Sequence, residues 1–231
     1  GLSLLGKTIT IQGENGANCS IIDCENLERA FKVVQGESAQ SIIQGISIIN
    51  GRALSPPLNS FSGGPHGSAI FVDDNSSLTV RHCVFSKNSF DSSNGEPVLS
   101  FGDNEVPGNE SFVNHCIFYQ NYGRAIYSQK KTTTVEFSVF TQNHAPGSPL
   151  IANAHSSSPA SGYSNCIFNE NKAREIVRVD HGKKIDNCLF YDNTTERSVI
   201  HSGTTWSARN LIDHCTFYNN YIPKVKFSEL F

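Results

Sequence analysis

Apolar residues in this chain fall in short runs, and the runs recur. Six segments align with one another: VRHCVFSKN ending at Asn88, VNHCIFYQN ending at Asn121, VEFSVFTQN ending at Asn143, YSNCIFNEN ending at Asn171, IDNCLFYDN ending at Asn193 and IDHCTFYNN ending at Asn220. Their Phe positions, Phe85, Phe118, Phe140, Phe168, Phe190 and Phe217, are spaced 33, 22, 28, 22 and 27 residues apart. A second apolar run precedes each copy: SAIFV, PVLSF, RAIYS, PLIAN, EIVRV and SVIHS. Each unit therefore holds at least two short strands and a turn. Clusters of Gly, Asn, Ser and Pro separate the runs, and no amphipathic helical spacing persists beyond two turns. A shortest unit of 22 residues suits one rung of a three-sided coil and is too short for a strand plus a crossover helix. Head-to-tail repetition also argues against hairpins. The pattern predicts an all-β chain, a right-handed single-stranded parallel β-helix (solenoid) of roughly eight rungs. It reads as one domain over residues 1–231, with less regular N-terminal rungs over about 1–66 and six F-x-x-N rungs over about 67–223. GISIIN, ending at Asn50, reads as a weaker early copy with Gly45 in the Cys place.

Stacking such units sets like residues on one another about 4.8 Å apart. The Phe residues should form a buried aromatic column. The terminal Asn residues should form a turn ladder, since Asn tolerates left-handed backbone and its amide can bond from rung to rung. Cys83, Cys116, Cys166, Cys188 and Cys215 form a third column, with Ser138 in the sixth place. A column that accepts Ser favours buried free thiols over inter-rung disulfides. Cys19 and Cys24 lie off this column, and whether they bridge is open. If Cys and Phe face inwards, the row between them, Val84, Ile117, Val139, Ile167, Leu189 and Thr216, faces out. That row is almost wholly apolar, so either the chain's own loops cover it or it is a contact surface.

Charge adds little. Charged residues are 17% and the net charge is −3, with no basic stripe for nucleic acid. No apolar run has the length of a membrane span, so no direct membrane insertion is expected of this segment. There is no Met, and a strand-like sequence, Lys7 to Gln12, begins almost at once. The chain is expected to be part of a longer one, or to stack on another copy, because an uncapped coil end exposes backbone pairing groups.

Candidate chemistry is sparse. Glu136, Asp186 and Asp213 stand just before the Cys column and are the candidates for carboxylate acid–base catalysis, though nothing marks them out from ordinary polar strand-edge residues; Asp186 and Asp213 fall one rung apart. No Arg or Lys recurs beside them in the repeat. The dipeptides His82-Cys83, His115-Cys116 and His214-Cys215 suggest a metal, but Cys inside places His outside, and no C-x-x-C accompanies them. No metal and no cofactor is expected. Tyr119, Tyr122 and Trp206 are the aromatic candidates for sugar contact. Asn18, Asn75, Asn109 and Asn193 head sequons that matter only in a eukaryotic secretory source.

The F-x-x-N motif, matched as FSKN, FYQN, FTQN, FNEN, FYDN and FYNN, together with GSAI and GRAI, resembles the repeat of the polymorphic membrane proteins of chlamydiae and related pectin-lyase-like surface proteins. The resemblance covers most of the chain, although the G-G-A-I half is eroded. It implies an extracellular or cell-surface adhesin passenger or a structural fibre unit. Its partners would be a host or neighbouring surface protein, a glycan, or further copies of itself. The alternatives are a polysaccharide lyase or glycoside hydrolase of the β-helix type, and a carbohydrate-binding module without turnover.

Overall fold

A computed structural model describes residues 1–53, 67–88, 96–102, 110–128, 132–153, 162–179, 182–202 and 210–223. Among these residues every regular element is a strand, and the strands form three parallel sheets of eight. The first sheet runs from Leu2–Ser3 to Thr194–Ser202, the second from Thr10–Gln12 to Leu211–Asp213, and the third from Ile21–Asp23 to Thr216–Tyr218. Each rung contributes one strand to each sheet and pairs in parallel with the rungs above and below. The chain is a parallel β-helix of eight rungs, as the repeat predicts.

The aligned nine-residue segments are not single strands. VRHCVFSKN, for example, divides into Thr79–Arg81 of the second sheet and Val84–Ser86 of the third. A two-residue corner separates them, and its first residue is left-handed: His82, His115, Phe137, Asn165, Asn187 and His214 all have φ of 48–55°. His and Asn suit that backbone better than β-branched residues do, which explains why they precede the Cys column. His82, His115 and His214 are exposed because of this kink, and not by strand alternation alone.

Left-handed backbone also appears at the far end of the motif, one residue earlier than the sequence suggests. Lys87, Gln120, Gln142, Glu170, Asp192 and Asn219 carry the positive φ, and the terminal Asn residues do not. The weak copy shifts in the same way. Ser47, Ile48 and Ile49 pair with Val84, Phe85 and Ser86. Gly45 therefore takes the place of His82, with φ of 64°, and Ile46 takes the Cys place. Asn50 matches Lys87, and Gly51 stands where the ladder Asn would be, its backbone N–H donating to Asn88 Oδ1 at 2.8 Å.

The inward columns form one continuous core. Phe85, Phe118, Phe140, Phe168 and Phe190 are fully buried. Their rings, with Phe217, stack nearly parallel with centroids 4.7–5.0 Å apart. Burying one such side chain stabilises the fold by about 1.5–3 kcal/mol. The Asn column is equally regular. From Asn121 onwards each Oδ1 accepts the backbone N–H and the amide of the preceding Asn, and each amide also donates to a Phe carbonyl, while the Asn88 amide donates to the Ile48 carbonyl. The column cysteines are free thiols lying near the carbonyl two residues back, as Cys83 does with Arg81 at 3.3 Å. Cys19 and Cys24 are also free, and burial pushes the Cys24 thiol up to about 11.

One buried acid braces the first three rungs. Glu37 is 1% exposed. It accepts the backbone N–H groups of Gly6 at 3.0 Å and Gln35 at 2.8 Å, and the Ser76 hydroxyl at 2.9 Å. Burial pushes its carboxyl up, but these bonds outweigh burial, so it titrates below its ordinary value. A folded-state pKa below the unfolded one gives stability that is present above the ordinary value near 4.5 and lost as pH falls through the folded pKa. Glu37→Gln is expected to cost about 1.5–3 kcal/mol at neutral pH. It should also flatten the acid limb of stability against pH, which chemical denaturation between pH 3 and 7, about the carboxylate range, would record.

Candidate functional site

All three carboxylate candidates fall in one outward column of the second sheet. The strand register sets Gln12, Gln44, Arg81, Asn114, Glu136, Ser164, Asp186 and Asp213 side by side. Neighbours in this column bond to each other. Gln44 donates to Gln12 at 2.7 Å, Arg81 donates to Gln44 at 2.6 Å, and Ser164 donates to Glu136 at 3.2 Å. Glu136 and Asp186 are two rungs apart, about 10 Å along the stack. Asp186 and Asp213 are adjacent, as the repeat spacing predicts.

Around Asp186 the sequence pattern missed a cation. Lys184 lies two residues earlier on the same strand and hence on the same face. Its ammonium is 3.0 Å from Asp186 Oδ2, and His214 Nδ1 stands 3.3 Å from both Asp186 and Asp213. The hydrogen bond from Lys184, then that from His214, holds the Asp186 carboxyl below the usual carboxylate range. Retaining glycosidases need two carboxyls about 5–5.5 Å apart with one kept protonated. Here the spacing is approached, but Asp186 is the wrong member to hold a proton at neutral pH.

Asp186, Asp213 and His214 offer oxygen and nitrogen atoms within 4.8 Å of one another, a spacing that would suit a metal. The Lys184 ammonium already supplies a positive charge there and would repel a second. The other metal reading also fails on geometry. His82 and His115 stack face to face with ring centroids 5.0 Å apart, and His115 Nδ1 is bonded to Asn114. Phe137 continues this stack.

The outward apolar row lies on the third sheet. Ile117 is 42% and Ile167 36% exposed, while Val84, Val139 and Leu189 are half-buried. Tyr119 and Tyr122 are exposed, Tyr122 making an edge contact with His144; Trp206 lies outside the described residues. A shallow recess of about 200 Å³ forms at a different corner from the carboxylates, between His144, Lys172, Thr195 and Glu196. Of the sequon residues, Asn18 and Asn75 are exposed and Asn109 lies outside the described residues. Asn193 is buried, its amide donating to Asn220 and to the Phe168 carbonyl, so it cannot carry a glycan in the folded coil.

The geometry defines the class, a parallel β-helix whose surface carries bonded polar ladders and an apolar strip. Comparison with known proteins adds no narrower identity: the chain matches no family model, no curated protein and no solved structure.

Proposed function

We propose that this chain is a non-catalytic extracellular or cell-surface β-helix, acting as an adhesin passenger or a structural fibre unit. The observation that carries the reading is the outward apolar row of the third sheet, in which Ile117 is 42% and Ile167 36% exposed beside the half-buried Val84, Val139 and Leu189. Apolar side chains open to solvent along the side of a coil mark a contact surface, and a second copy laid alongside would bury them. The likeness of the F-x-x-N motif to chlamydial surface repeats supports the extracellular setting.

Light scattering over a concentration series tests the contact. The mass should rise with concentration, and Ile117→Asp with Ile167→Asp should weaken association about a hundredfold, because each sets an unpaired charge into the contact. A strict monomer at high concentration overturns side-by-side assembly.

A further inference from the structure

The outer face of the first sheet holds a group of basic residues that neither the ladders nor the core explains. Tyr127, Ala152, Arg178 and His201 are consecutive in one outward column. The Arg124 guanidinium lies over the Tyr127 ring, 5.2 Å from its centroid. Arg178 stands two rungs beyond Tyr127, about 10 Å along the stack, a span that two extended arginine side chains can close. Ala152, between them, is buried although it faces outwards, while Arg124, Tyr127, Arg178 and His201 are half-buried.

Two details make this strip unusual. The Nε–H groups of both Arg124 and Arg178 are buried, and neither has a hydrogen-bond partner among the described residues. The buried carboxylate of the same sheet, Glu175, is engaged by Arg174 at 3.6 Å and Arg197 at 3.5 Å, leaving Arg178 without an ion pair among the described residues. Glu96 is the acidic group whose field reaches Arg124. Burial holds the Arg124 guanidinium below the ordinary arginine range even so, against the pull of Tyr127 and Glu96, with the repulsion of Arg178 adding least. Two buried Nε–H donors left unused cost free energy, and an anion between the two guanidinium groups would recover it.

We propose that Arg124 and Arg178 form a binding site for an oxyanion, the carboxylate or sulfate of an acidic ligand, on the outer face of the first sheet. The planar forks supply the donors, and Tyr127 fixes the Arg124 plane by stacking. This site is independent of the proposed side-by-side contact, since it lies on the first sheet and the apolar row on the third.

Calorimetric titration of the chain with sodium sulfate, and separately with sodium glucuronate, at constant ionic strength tests it. One saturable site is expected. Tighter binding of glucuronate assigns a uronate-like carboxylate, and tighter binding of sulfate a tetrahedral anion. Arg178→Gln should weaken binding about tenfold to a hundredfold, while Arg81→Gln, on the second sheet, should leave it unchanged. Arg178→Lys keeps the charge and loses the fork, and should also bind at least about tenfold more weakly; circular dichroism on each variant confirms the coil. No saturable heat with either anion, or equal affinity in a folded Arg178→Gln or Arg178→Lys variant, overturns the site.

Discussion

Replacing Phe140 with alanine is expected to lower the unfolding free energy by about 3–5 kcal/mol, the usual cost of truncating a buried phenylalanine. Phe140 is fully buried and stacks on Phe118 at 4.7 Å and Phe168 at 4.8 Å, with interplanar angles of 9° and 8°. The truncation removes apolar burial and two ring contacts at once. The cavity cannot collapse easily, because backbone pairing fixes the rung above and the rung below. Phe217→Ala is the internal control. Its ring is half exposed and has one stacked neighbour, so its cost should be well under half as large. Urea denaturation followed by circular dichroism measures both. A cost below about 1.5 kcal/mol for Phe140→Ala, comparable to Ile→Val, would show that the column fills space without holding the rungs together. Because rungs interact with nearest neighbours, the damaged middle should also broaden the transition or divide it in two.

Asn143→Ala should be nearly as costly, for a different reason. The Asn143 side chain makes four bonds inside the coil. Its Oδ1 accepts the Asn121 backbone N–H and amide, each at 3.0 Å, and its amide donates to Asn171 Oδ1 at 3.0 Å and the Phe118 carbonyl at 2.8 Å. Alanine leaves the two Asn121 donors unpaired in a dry interior and takes one of its bonds from the Phe118 carbonyl. At about 1–3 kcal/mol for each buried orphan, an expected total is about 3–5 kcal/mol, since partial relaxation makes the terms less than additive. Asn143→Asp is expected to do no better at neutral pH, because it sets an anionic oxygen against the Phe118 carbonyl. Wild-type-like stability in either variant would mean that water or backbone can replace the ladder.

Much of this was legible in the sequence because the fold repeats. Phe140 or Asn143 alone says nothing, but six copies in phase define columns, and columns define a coil. What failed was what the repeat could not encode. The left-handed position before each ladder Asn holds Lys87, Gln120, Gln142, Glu170, Asp192 and Asn219, a mixture with no signature, so the turn was placed one residue late. The corner inside the nine-residue motif is hidden because inward positions slip by one there, from Val80 to Cys83 and from Tyr163 to Cys166, with no Gly or Pro to mark it. The weak copy was misaligned because its Asn50 fills the variable place and Gly51 the ladder place. Glu37 and the Arg124–Arg178 pair occur once each, so no periodicity marks them. The carboxylates were located correctly as a column, but their neighbour Lys184 was invisible because only one rung carries it.

The corner between the second and third sheets has a wider consequence. From the second rung to the eighth it is two residues long, from Gly45-Ile46 to His214-Cys215, whereas the other two corners absorb the variable lengths between repeats. Inserted segments therefore leave the coil at fixed azimuths and at heights set by the rung spacing of about 4.8 Å. Short recognition peptides grafted at equivalent corners of several rungs would stand in a row at known intervals. Weak individual affinities would then combine as avidity, with the effective concentration set by the scaffold and not by a flexible linker.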